Sequence, residues 1–439
     1  MNRRSGKQLM SVLLAVFCVL AVGLGVMVLM YMAKGKSSGI EKNAAETSDD
    51  TATQTQTETA AQQEQVSETV SQEDAVPAAA VSETGEDSKA EPQPEKKDEI
   101  RTLIDGMSLH EKVCQLFIVT PESLTGYDVV TQAGDATEEA LEKYPVGGII
   151  YFAQNMEDYT QLKDMISATK EFAAKSCPTP LFVSVDEEGG DVARCAETVG
   201  TTIFQPMYTY KGSTTLAHDN ACTIAEDISK LGFNLDFAPV ADTWSNPENT
   251  VIGQRAYSDD FEEAAELVAS AVKGFHDGGV LCTLKHFPGH GNTAEDSHYT
   301  SAYSGRTVMQ LEQNEYLPFE SGIEVGADMV MVGHITVPSI DEEPASVSSK
   351  IITGELREKL GFKGVIITDS LAMGAVADNY ESGELAVKVL QAGGDILLCP
   401  ADLDEAVNGI EAAVSKGTIE ESRIDESLYR ILTLKKHIK

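Results

Sequence analysis

Residues 280–286 read VLCTLKH, an apolar run that ends in a lysine and a histidine. A strand buried on one face would alternate apolar and polar residues, whereas an unbroken run of this length suits a strand covered on both faces. Seven more runs of the same kind stand along the chain: QLFIVT (115–120), GGIIYF (147–152), PLFVSVD (180–186), FNLDFAPVAD (233–242), DMVMVGH (328–334), GVIITDS (364–370) and DILLC (395–399). Between them lie amphipathic segments such as MEDYTQLKDMISATKEFAAK (156–175), FEEAAELVASAVKGFHDGG (261–279) and SGELAVKVLQAGG (382–394), the last two ending in glycine, a frequent helix stop. Strands alternating with helices predict an α/β fold with a parallel sheet. Eight of them over residues 98–439 fit a (β/α)8 TIM-like barrel better than an open, doubly wound sheet, which stays open as an alternative. The runs deliver Asp186, Asp242, Lys285, His286, His334 and Asp369 to their C-terminal ends, where a barrel gathers its chemistry around one pocket.

Outward from this block the composition changes. Residues 9–33 carry no charge and are long enough to span a bilayer. Arg3, Arg4 and Lys7 precede them, so a transmembrane signal anchor with residues 1–8 on the cytoplasmic side is expected. Residues 34–97 are rich in Thr, Gln, Ser, Ala, Glu and Pro, too poor in large apolar side chains to offset chain entropy, and read as a disordered acidic linker. The expected location is therefore the cell membrane, single-pass, with the following domain on the extracellular, cell-wall side. A formal charge of -37 argues against a nucleic-acid partner. Six cysteines beyond Cys18 are widely spaced with no CxxC pair, so zinc-ribbon and redox motifs are absent and no disulfide can be assigned.

Three of the eight histidines fall in KHFPGHGNTAEDSH (285–298). As metal ligands they would want HxH spacing on a strand or HExxH on a helix, and neither occurs, so no metal is expected. As a proton carrier, His298 has Asp296 two residues away to fix its tautomer and raise its basicity. Asp369 is a candidate nucleophile or, equally on position alone, a helix cap. Asp186 can accept sugar hydroxyls or cap a turn, while Arg255 and Lys285 can donate; Lys285 ends a buried strand and is hard to dismiss as a solvated charge.

Taken together, SLHEKVCQLF (108–117), VDEEGGDVAR (185–194), LDFAPVADTW (235–244), VIGQRAYS (251–258), KHFPGHGNTAEDSH and ITDSLAMGA (367–375) make the sequence resemble family 3 glycoside hydrolases of the β-N-acetylglucosaminidase type over about residues 98–439. The resemblance implies that Asp369 is the catalytic nucleophile and that His298, with Asp296 completing its dyad, is the general acid/base. It implies that Asp186, Arg255, Lys285 and His286 grip N-acetylglucosamine, that His290 shapes the loop, and that no cofactor or metal is needed. Departures are Ala-Tyr after Arg255, where Ser-Phe is common, and Asn292 where Asp is frequent. The chemistry so implied is a retaining exo-hydrolysis of terminal β-linked N-acetylglucosamine from peptidoglycan-derived fragments or chito-oligosaccharides. The alternatives are a β-glucosidase, β-xylosidase or glycoside phosphorylase of the same family, or an inactive wall-glycan-binding module. Oligomeric state is left open.

Overall fold

The computed structural model describes residues 98–294 and 302–438, which belong to one compact unit, Ala90–Lys439. The expected membrane anchor and acidic linker lie outside the described residues. Among the described residues no helix is long and apolar enough to cross a membrane.

Each of the eight apolar runs contains one strand of a single parallel sheet. In chain order these are β1 (Phe117–Val119), β2 (Gly148–Ile150), β3 (Phe182–Val185), β4 (Leu235–Asp236), β5 (Leu281–Phe287), β6 (Met329–Val332), β7 (Val365–Thr368) and β8 (Leu397–Leu398). Strands β1 to β6 each pair with the next in sequence, and β8 pairs with β1. A parallel bridge between Ile367 and Ile396 joins β7 to the start of β8, so the sheet curls into a nearly closed barrel. An open doubly wound order would reverse direction around one strand, and this one does not.

The crossover helices follow from local sequence. They are α1 (Asp135–Lys143), α2 (Tyr159–Ser176), α3 (Thr214–Leu231), α4 (Phe261–Asp277), α5 (Tyr316–Glu324), α6 (Ser382–Ala392), α7 (Leu403–Ser415) and α8 (Glu421–Lys435). Asp158, Ser213, Asp260 and Asp402 cap α2, α3, α4 and α7 by accepting backbone N–H groups of the first turn. A π-type helix, Lys350–Lys359, takes the place of a regular helix between β6 and β7. The apolar faces of the helices close on the sheet. Phe287 at the end of β5, for example, is fully buried between Tyr316 and Phe319 of α5, each with its ring centroid 5.3 Å away. Burial of such a side chain contributes about 1.5–3 kcal/mol.

The N-terminal end of the barrel is held by polar contacts. Asp395 accepts hydrogen bonds from Ile366 N (3.0 Å) and Ser427 Oγ (2.7 Å) and faces the guanidinium groups of Arg357, Arg423 and Arg430. These contacts tie α8 to the edge where β7 meets β8. The six described cysteines form no disulfide.

Candidate active site

At the opposite, C-terminal rim a cavity of about 310 Å³ is lined by Asp186, Glu188, Arg194, Arg255, Lys285, His286 and Asp369, with Phe152 and Met373 as apolar walls. That volume lies at the low end for small-ligand sites, which run from about 300 to 1,000 Å³. Five of the seven residues named from sequence as site residues meet here: Asp186, Arg255, Lys285, His286 and Asp369. The other two, Asp296 and His298, lie outside the described residues.

Lys285 is buried, and its Nζ lies 2.7 Å from Asp186 Oδ1 and 2.6 Å from Glu188 Oε1. Arg255 closes the same cluster as a fork, Nε to Glu188 Oε2 at 2.8 Å and Nη2 to Oε1 at 2.7 Å. Burial opposes every charge in this group. For Lys285 the carboxylates of Asp186 and Glu188 outweigh it and hold the ammonium pKa above lysine's ordinary range. For Glu188 the two cations outweigh it and hold the carboxyl far below the usual range. Lys285, Arg255 and Glu188 are therefore ionised at neutral pH and, with Asp186, pre-form a set of fixed donors and acceptors for hydroxyl groups.

Lys285 and His286 are consecutive in β5 yet both line the cavity, and the peptide between them is cis. His286 is oriented from below by Asp242, which is fully enclosed. Its Oδ2 accepts from His286 Nδ1 at 2.6 Å and from His286 N at 3.0 Å, and its Oδ1 accepts from His290 N at 2.6 Å. Burial works to raise the Asp242 pKa, but the two imidazoles beside it bring it below its ordinary value. With Asp242 ionised, the proton of His286 resides on Nδ1 and Nε2 is the nitrogen available to a ligand.

His290 is buried, packs edge-on against His286 at 5.9 Å, and pairs through Nδ1 with Thr293 Oγ1 at 2.8 Å. Its N–H to Asp242 and its contact with Thr293 hold it within the loop. The glycines beside it have separate reasons to be glycine. Gly289 sits at φ +121°, and a Cβ on Gly291 would fall 1.8 Å from Thr243 O. His334 is tied to Ser346 Oγ and to the carbonyl of Ser370, so it braces the segment that carries Asp369. Asp369 follows β7 directly, its N–H donating to Val332 O at 2.9 Å and its Oδ1 accepting from Ser370 N at 2.7 Å.

Sequence reasoning missed Glu188 and Arg194 and did not see that Asp242 serves His286. For Glu188 a signal was present: in SVDEEGG, Asp186 and Glu188 are two apart in an extended segment and so share one side, with Glu187 on the other. Glu187 accepts from Cys195 N and Ala196 N at 2.7 and 2.9 Å, and so closes the loop instead of lining the cavity.

Residues 108–434 match the model of the glycosyl hydrolase family 3 N-terminal domain. A β-hexosaminidase of Stenotrophomonas maltophilia (strain K279a) is 34% identical over 284 residues, which cover 62% of this chain and 82% of that protein. β-Hexosaminidase A of Pseudoalteromonas piscicida is 32% identical over 324 residues, but the match spans only 54% of its length. Among solved structures, a family 3 β-N-acetylglucosaminidase from Paenibacillus sp. str. FPU-7 superposes with a TM-score of 0.71 at 37% identity, covering 75% of this chain and 62% of that one. A match over most of the chain, in both sequence and barrel, shows that the chain belongs to glycosyl hydrolase family 3.

Proposed function

We propose that this family 3 glycoside hydrolase removes terminal β-linked N-acetylglucosamine from peptidoglycan-derived fragments or chito-oligosaccharides by double displacement. The observation that carries the reading is the convergence of the ion-paired Asp186–Lys285–Glu188–Arg255 cluster and Asp369 on one cavity of single-sugar scale. Relatives named β-hexosaminidase and β-N-acetylglucosaminidase support the choice of sugar.

In this scheme Asp186, Arg255, Lys285 and His286 hold the terminal sugar through its hydroxyls and set its anomeric carbon against Asp369. The Asp369 carboxylate attacks and the glycosidic bond breaks. The departing oxygen takes a proton from His298, whose imidazolium Asp296 favours; neutral His298 then draws a proton from the water that releases the sugar. A stem at residues 34–97 and an anchor at 9–33 would keep the barrel at the cell surface, near wall glycans, with no metal in the chemistry.

The test is release of 4-nitrophenol from the β-N-acetylglucosaminide and its β-glucoside analogue, with and without EDTA, by the wild type and by Asp369→Asn and His298→Ala. The expected result is turnover of the acetamido sugar only, insensitive to EDTA, and lowered by about 10²- to 10⁴-fold in His298→Ala and at least as far in Asp369→Asn. Full activity in Asp369→Asn would overturn the nucleophile, and no turnover of either sugar would favour a binding module.

A further inference from the structure

At the end of the barrel opposite the cavity, three side chains of different ligand chemistry converge. His276 is on the last turn of α4, Cys282 is the second residue of β5, and Asp328 immediately precedes β6. Their ligand atoms all lie within 4.8 Å of one another. His276 Nε2 is 2.9 Å from Asp328 Oδ2 and 3.8 Å from Cys282 Sγ, and Asp328 Oδ2 also accepts from Cys282 N at 3.0 Å.

We propose that His276, Cys282 and Asp328 form a structural site for a divalent cation of zinc type, separate from the glycosidase chemistry. The donor set selects the metal. An imidazole, a thiolate and a carboxylate suit zinc, whereas calcium and magnesium want oxygen alone. The spacing fits as well. Zinc bond lengths place tetrahedral ligand atoms about 3.3–3.4 Å apart for nitrogen and oxygen and about 3.5 Å for nitrogen and sulfur. The two separations from His276 Nε2, 2.9 and 3.8 Å, straddle these values, and the third, from Cys282 Sγ to the Asp328 carboxylate, lies within 4.8 Å.

Access and a fourth ligand are also at hand. A cleft of about 410 Å³ is lined by His276, Asp277, Asp328 and His437, so water can reach the site and complete the shell. The His276 side chain is 34% exposed, which gives the ion an entry path, while Cys282 is fully buried at the back. On binding, the thiol proton leaves to water and the sulfur becomes a ligand. The hydrogen bond between His276 and Asp328 is replaced by two bonds to the cation, which pin the end of α4 to the starts of β5 and β6. A ligand that binds only the folded chain raises its stability by mass action.

The experiment is a titration of chelator-stripped full chain, in non-ionic detergent, with cobalt and then zinc. One equivalent of cobalt is expected to give a near-ultraviolet thiolate-to-cobalt band, zinc to displace it, and zinc to raise the Tm while hydrolysis stays within twofold. Cys282→Ser should abolish the band. His276→Gln, a change at a partly exposed helix end that leaves the core intact, should weaken zinc binding at least tenfold. No band, an undiminished band in Cys282→Ser, or unaltered affinity in His276→Gln would overturn the site. Loss of hydrolysis on stripping, with Tm unchanged, would overturn its structural role. A dead glycosidase that still binds cobalt through Cys282 would count against the proposed function and leave the metal site intact.

Discussion

Lys285 and Lys435 are both buried lysines at opposite ends of the same barrel, and the protein treats their charges in opposite ways. Lys285, at the rim, meets Asp186 and Glu188 and is held as a cation. Lys435, at the base, reaches only the side-chain oxygen of Gln115 at 2.8 Å and lies over the Phe182 ring, and burial pushes its pKa down to about 7. Equal burial with unequal partners shows what the rim requires. A charge is kept inside the protein only where carboxylates face it, and those same carboxylates are the sugar contacts proposed above. At the base the ammonium fills space and closes a polar gap, with no work that needs its charge.

The largest effect is expected from breaking the rim cluster. In Lys285→Met, Asp186 loses the partner Lys285 gave it and Glu188 keeps Arg255 alone, a loss of about 3–5 kcal/mol by the usual cost of unpairing a buried ion. Hydrolysis of the acetamido substrate should fall by about 10²- to 10³-fold in kcat/KM, with a lower Tm. Adding Glu188→Gln should recover part of the Tm and none of the activity. Near-normal kcat/KM in the single variant would remove the rim lysine from the sugar site and erase the contrast with Lys435.

The same contrast explains how far the sequence could be read. All eight strands were legible because a strand covered on both faces leaves an unbroken apolar run, and the residue ending each run marked the rim. Asp186, Lys285, His286 and Asp369 follow from that rule alone. Pairing was less legible, because it depends on which loops fold over one another. Glu188 reaches Arg255 across 67 residues, and Asp242 reaches His286 across 44. Lys435 reads in sequence as one more basic residue in the last turn of α8, since nothing local announces that Gln115, 320 residues away, covers it.

A smaller effect, of opposite sign, is expected at the base. Folding brings the Lys435 pKa from the ordinary lysine value of 10.5 down to about 7, so between these limits the unfolded chain binds more protons than the folded one. Stability from this residue therefore rises with pH across that window, by at most about 4–5 kcal/mol, and is least at pH 7 and below. Lys435→Met should be more stable than the wild type at pH 7 by up to a few kcal/mol, less the lost Gln115 contact, with the gap closing towards pH 10. Denaturant titrations of both proteins across this range are the check. A pH-independent gap would show that Lys435 is charged after all, and that the base pairs its ions as the rim does.

The finest distinction lies within the rim, between the residues proposed to touch sugar and one that only aims them. Asp242 is enclosed beneath His286 and offers one oxygen to His286 and the other to the backbone of His290, so it acts on a ligand only through its neighbours. Asn in its place has the same shape but presents an amide nitrogen where one of those oxygens stood, leaving one N–H facing a donor. The cost of that mismatch is about 1–3 kcal/mol. The expected drop in kcat/KM is correspondingly about 5- to 150-fold, carried mainly by KM, because His286 is proposed to hold the sugar and not to move the reacting proton. The pH dependence has a definite sign. The Asp242 pKa is lowered from 3.8, so its stabilising effect is complete above that value and fades only as the pH falls further. The stability gap between wild type and Asp242→Asn should narrow as the pH falls below 3.8. A drop in kcat with KM unchanged would move His286 from gripping the sugar to the chemical step, a part the proposed mechanism gives to His298.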